Sequence, residues 1–191
     1  MRQAPFLLLA ATLAACTGTS PARPGPSGPA ALPNEPVAHV DLERYAGTWY
    51  EQARLPMYFQ RKCASDTTAH YRLNADGTVA VRNRCRREDG GMQEADAIAR
   101  TVGGRTSTLE VRFAPAWLSW LPAVWGDYWV IALDEADYQW AMVGAPRADY
   151  LWILSRSPQL DPAILERLLA QARAMGYPVD RVVATPQSAA Q

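Results

Sequence analysis

Histidine is scarce in this chain of 191 residues. There are two, His39 and His70, and neither stands at ligand spacing from a cysteine, so no zinc-type metal site is expected. A Ser-His-Asp set would need one of the same two histidines. The chain has neither G-x-S-x-G nor a phosphate-binding P-loop, and no nucleophile with an evident base. Enzymatic turnover and a bound cofactor are therefore not expected. Lys+Arg and Asp+Glu are balanced at 19 each, with no basic stripe, which argues against a nucleic-acid partner. There is no internal repeat, and no long hydrophobic run follows the one at the amino terminus.

What is present begins with a targeting segment. Arg2 supplies a positive start, and Phe6 to Ala15 is an apolar run too short to span a bilayer as a helix. It ends in L-A-A-C at Leu13 to Cys16, which resembles a bacterial lipoprotein processing box. Residues 1–15 read as the signal peptide and Cys16 as the acylated residue. Each acyl chain contributes roughly 0.8 kcal/mol per buried methylene, so several chains anchor stably. An ordinary secretory signal with an incidental cysteine is the alternative. Thr17 follows Cys16, with no aspartate to retain the chain at the inner membrane. The expected location is the outer membrane, periplasmic face. Residues 16–38 read as a linker: Pro21, Pro24, Pro26, Pro29, Pro33 and Pro36 favour extended backbone, at ~3.1 Å per residue.

Residues 39–186 have the length of one domain, and 187–191 read as a tail. The pattern is many short strands and then one helix. Strands are expected at Trp49–Arg54, Thr67–Leu73, from Val79, at Glu94–Val102, Leu109–Phe113, Tyr128–Leu133, Trp140–Gly144 and Tyr150–Ser155. Asp161 to Met175 has helical spacing, with Asp161 as the cap and Gly176 as the stop. Val179 to Ala184 reads as a short ninth strand. Strand counting alone fits a closed up-and-down barrel or a packed sandwich. With Cys16 acylated, Cys63 and Cys85 remain as a pair in an oxidising compartment, which favours a disulfide.

Three stretches carry a resemblance that separates barrel from sandwich. They are Y-A-G-T-W-Y-E-Q-A-R-L at Tyr45–Leu55, D-Y-W-V-I-A-L-D at Asp127–Asp134 and R-A-D-Y-L-W-I-L-S-R at Arg147–Arg156. Together they resemble the lipocalin motifs, in detail those of the bacterial and apolipoprotein D branch. The resemblance implies an all-β fold: an eight-stranded antiparallel up-and-down β-barrel with one C-terminal α-helix. It also implies that Gly47, Trp49 and Arg156 form the closed base. An arginine stacked on an indole contributes ~0.5–2 kcal/mol, a folding role rather than chemistry. The Cys63 and Cys85 pair is not shared by every lipocalin. Nor is the Trp-rich stretch from Phe113 to Trp125, which reads as a lid, a membrane or partner contact, or a loop packed on its own barrel.

Such a barrel holds a cavity, and parity along each strand selects its lining. If Trp49 faces inward, so do Glu51 and Ala53. The same rule selects Ala69, Tyr71, Val81, Ala97, Ala99, Val111, Phe113, Tyr128, Val130, Ala141, Val143, Tyr150 and Trp152. The alternative is that these side chains fill the core, which suits residues near the base such as Leu154. The expected function is binding and storage or transport of a fatty acid or lysophospholipid at the outer membrane, with the membrane engaged through acylated Cys16. An enzyme on a lipophilic substrate in the same cavity, and a structural envelope protein, are the alternatives. A homodimer is left open.

Overall fold

The computed structural model describes residues 31–188. The segment read as signal peptide, the acylation site Cys16 and most of the linker lie outside the described residues, as does the end of the tail.

Eight strands follow one another around a closed sheet: β1 (Gly47–Arg54), β2 (Cys63–Leu73), β3 (Val79–Arg87), β4 (Met92–Val102), β5 (Arg105–Arg112), β6 (Gly126–Leu133), β7 (Trp140–Gly144) and β8 (Leu151–Ser155). Each pairs antiparallel with the next, and β1 pairs with both β2 and β8, so no edge is left in the ring. Strand β1 meets β2 only from Gly47 to Tyr50. Further along, the short strand β9 (Val183–Ala184) pairs with Ala53 and Arg54 instead. The C-terminal segment thus occupies β1 where β2 has turned away, and Thr185 donates its N–H to the Gln52 carbonyl at 2.9 Å.

Two apolar clusters divide the molecule. One fills the barrel, with Val40, Tyr45, Trp49, Leu109, Val130, Val143 and Leu154 among its buried members. The other lies outside, where Ile131, Ala132, Met142, Leu151 and Ile153 meet helix α2 (Pro162–Ala174) through Leu168 and Ala172. The helix starts where the Asp161 side chain accepts from the Ala163 N–H at 2.8 Å, and Pro162 occupies its first turn. It stops before Gly176, whose φ of +91° suits glycine. A short helix α1 (Leu42–Tyr45), which no periodicity in the chain announced, precedes β1 and is capped by Asp41.

The linker was expected to run to residue 38, but the chain is docked well before that. The Leu32 N–H bonds the Ala174 carbonyl, and the Val37 N–H bonds the Val130 carbonyl. Asn34 bonds Ala145 and Tyr177 through its side chain. These contacts exist only once the barrel and α2 are assembled, so composition could not reveal them. Ala53 does not face into the barrel. The β1–β8 register slips between Glu51 and Ala53, so Gln52 is an extra residue and Ala53 joins the outer cluster under α2. A second slip between Val130 and Ala132 does the same to β6.

Candidate ligand-binding cavity

The base of the barrel is sealed. Trp49 is fully buried and donates Nε1–H to the Tyr45 carbonyl at 2.8 Å. The Arg156 guanidinium lies 4.0 Å from its ring centre. Gly47 has φ +95°, and a Cβ there would stand 3.2 Å from Arg156 Nη1. The conformation and the close approach both favour glycine.

Above this seal a cavity of about 380 Å³ opens towards the other end. Its floor is formed by Tyr71 and Tyr128, and Tyr45 completes a cluster of three tyrosines behind them. The Tyr128 hydroxyl lies 2.9 Å from those of Tyr45 and Tyr71. Burial pushes the Tyr71 hydroxyl up to about 12 and raises Tyr45 and Tyr128 well above their ordinary 10.0. All three therefore stay protonated at neutral pH. Trp152 stacks between Tyr128 and Tyr150, with ring centres 6.5 and 6.0 Å away.

One wall is polar. The Trp152 Nε1–H donates to Gln60 Oε1 at 3.0 Å, and Gln60 Nε2 donates to Glu51 Oε2 at 2.8 Å. The other Glu51 oxygen accepts from Arg54 Nη1 at 3.1 Å and Thr185 Oγ1 at 2.5 Å. Glu51 is only 2 % exposed, so this network satisfies a carboxylate that would otherwise be costly to bury. No group of three or more His, Cys, Asp or Glu side chains among the described residues is arranged to hold a metal.

The mouth is framed by the β1–β2 loop and the long β5–β6 loop. The Cys63 and Cys85 sulfurs join the mouth ends of β2 and β3. Trp125 is held by Arg100, 3.9 Å from its ring centre, and by its Nε1–H to the Ser119 carbonyl. Trp117 and Trp120 are 73 % and 74 % exposed, and Tyr58 and Phe59 are exposed on the facing loop. The β5–β6 loop is thus tied down at Trp125 while its other two tryptophans face solvent.

Of the side chains selected by parity, Ala69, Tyr71, Val81, Val111, Tyr128 and Trp152 line the cavity. So do Phe113 and Tyr150, although both lie just beyond the ends of their strands and Phe113 is half exposed at the rim. Ala99, Val130, Ala141 and Val143 face inward but are corrected as lining residues: they are packed in the barrel core. The tyrosine floor separates the lower barrel from the space above. Ala97 is likewise a core member and does not touch this cavity. Leu154, expected in the base, belongs to the core and also reaches the cavity. Thr67 and Asn83 share the parity of Tyr71 and Val81, and they also line the cavity. Glu51, inward by the parity of Trp49, lines the cavity as well. Phe59, Gln60 and the stretch from Ala123 to Asp127 reach the cavity from loops or a strand start, where alternation gives no signal.

A family model for the lipocalin-like domain matches residues 40–187. The chain is 40% identical over 156 residues to temperature-induced lipocalin-1 of Arabidopsis thaliana, covering 81% of this chain and 83% of that one. It is 36% identical over 155 residues to the outer membrane lipoprotein Blc of Vibrio cholerae, covering 80% and 86%. Among solved structures, insecticyanin of Manduca sexta superimposes with a TM-score of 0.62 at 19% identity, covering 84% of this chain and 90% of that one. Closed barrel, sealed Trp–Arg base, family model and relatives agree, and the chain belongs to the lipocalin family.

Proposed function

We propose that this protein binds and carries or stores an acyl lipid, of the fatty-acid or lysophospholipid class, in the barrel at the bacterial outer membrane. Lipocalins bind small hydrophobic ligands. The observation that carries the acyl-lipid reading is the cavity itself. Its volume of about 380 Å³ falls within the ~300–1,000 Å³ typical of small-molecule sites. Its walls are aromatic and aliphatic, with a few convergent polar groups in Gln60, Glu51 and the tyrosine hydroxyls. Burying an acyl chain there gains about 0.8 kcal/mol per methylene with no bond made or broken. The outer-membrane location is supported by the L-A-A-C box at Leu13–Cys16 and by the similarity to outer membrane lipoproteins. Mass spectrometry of small molecules co-purified from the native membrane tests the ligand. An acyl lipid in stoichiometric amount is expected, and its absence from repeated preparations argues for a purely structural envelope role. Cys16→Ser tests the anchor. It is expected to release the protein into the periplasm or to leave an uncleaved precursor. A variant that stays with the outer membrane after a high-salt wash rules out Cys16 acylation as the anchor.

A further inference from the structure

Three features of the cavity bear on which polar group it accepts. The first is stoichiometry at the floor. Three phenol hydroxyls carry three protons, but Tyr128 with Tyr45 and with Tyr71 makes only two contacts. When Tyr45 donates to Tyr128, the O–H left to donate elsewhere falls on Tyr71 or Tyr128, the two hydroxyls that line the cavity. The second is Thr67 on the wall. It is 5 % exposed and lines the cavity, and its Oγ1 has no hydrogen-bond partner among the described residues. A buried hydroxyl in that state costs about 1–3 kcal/mol until a partner arrives. The third is charge. Apart from tyrosine, Glu51 is the ionisable lining residue on an inward strand face; Asp127 borders the cavity beside the inward-facing Tyr128, and no Arg, Lys or His is among the lining residues. Arg54 pairs with Glu51 but is not itself part of the wall.

We infer that the cavity selects a lipid whose polar group within the barrel is uncharged and oxygen-bearing, a hydroxyl or ester of the monoacylglycerol kind, over one that places a carboxylate there. An ester or hydroxyl oxygen accepts the surplus phenol proton, and a hydroxyl or ester also pairs with Thr67. A carboxylate could accept the same protons. It would, however, be desolvated beside Glu51 with no cation in the wall to compensate. The inference rests on the reading that an acyl lipid occupies the barrel, and it sets the chemical class of that lipid.

The test uses the full chain carrying Cys16→Ser, so that no acyl anchor competes for the cavity. Tryptophan emission is followed at pH 7.5 during titration with 1-palmitoylglycerol and with palmitate, which share one acyl chain. The monoacylglycerol is expected to bind at least tenfold more tightly. Thr67→Val is expected to weaken the monoacylglycerol several-fold and leave palmitate unchanged. Glu51→Gln is expected to strengthen palmitate; the wild-type comparison and the Thr67→Val arm decide the inference if Glu51→Gln disturbs folding. Palmitate binding as tightly as 1-palmitoylglycerol overturns the inference, and so does an equal loss for both ligands in Thr67→Val. If neither these ligands nor 1-palmitoyl-lysophosphatidylcholine binds, the acyl-lipid reading itself fails, which is a separate and recognisable result.

Discussion

Arg156 lies 4.0 Å from the centre of the Trp49 ring, and its guanidinium also donates to the Thr48 carbonyl at 3.0 Å and the Arg44 carbonyl at 2.5 Å. One side chain therefore ties the start of β1 and helix α1 to the segment leaving β8. A charged group bonding carbonyls contributes about 1.5–3 kcal/mol, and the ring contact adds ~0.5–2 kcal/mol. Arg156→Ala is expected to lower unfolding stability in urea by about 2–4 kcal/mol. Arg156→Lys restores less than half of that, because an ammonium cannot stack flat and reach two carbonyls at once. A loss under about 0.5 kcal/mol for Arg156→Ala would show that the base is held by Trp49 packing alone.

The Cys63–Cys85 bridge spans 22 residues, with Cα atoms 5.5 Å apart. In the chain-entropy account a loop of that length contributes about 3 kcal/mol. The Cys63→Ser, Cys85→Ser double variant is expected to unfold at lower urea by that amount while keeping its far-ultraviolet spectrum. Non-reducing peptide mapping that finds both thiols free in exported protein would rule the bridge out.

Asp66 anchors the C-terminal segment after β9. It accepts from the Ser188 N–H at 2.7 Å and from Arg86 Nε at 2.8 Å, and these bonds lower its carboxyl from 3.8 to about 2. Because the folded value lies below the unfolded one, the stabilisation is complete above about 3.8. It is lost as pH falls through about 2. The protection factors of the Ser188 and Thr185 amides are expected to fall across that window, and Asp66→Asn is expected to show the lower protection already at neutral pH. Unchanged protection in Asp66→Asn would mean that the remaining bonds hold the segment: Gln187 to the Glu51 and Thr67 carbonyls, the Thr185 N–H to the Gln52 carbonyl and the residue-66 N–H to the Pro186 carbonyl.

Trp152 and the two exposed loop tryptophans separate affinity from access. Trp152→Ala removes an aromatic wall and the Nε1–H bond to Gln60, so acyl-ligand affinity is expected to fall by about 1–3 kcal/mol with the fold intact. Trp117 and Trp120 do not line the cavity. Trp117→Ser with Trp120→Ser is therefore expected to change association and dissociation rates, or membrane contact, more than equilibrium affinity. Stopped-flow titration with a fluorescent fatty acid measures both. Equal affinity in wild type and Trp152→Ala would place the ligand away from β8.

The sequence by itself determined the architecture. Period-two alternation on most strands, the Asp161–Pro162 start and Gly176 stop of α2, and the spacing of Trp49 and Arg156 are local features. They survive because the barrel is built from neighbouring strands in chain order. The inward faces of β2, β3 and β8 were legible for the same reason, since parity holds wherever the ladder is regular. Only the tertiary structure decided where parity fails and where the ligand space ends. The extra residue at Gln52 turns Ala53 outward, and no side-chain pattern encodes a bulge formed by the register against β8. The three tyrosine hydroxyls meet from β2, β6 and helix α1, far apart in the chain, and their floor assigns Val130, Ala141 and Val143 to the core rather than the cavity. The polar wall likewise needs Gln60 from a loop, Glu51 from β1 and Thr185 from the far end of the chain. Long-range convergence of polar groups is a property of the folded barrel, because the bonds that satisfy a buried carboxylate can form only after the chain has closed around it.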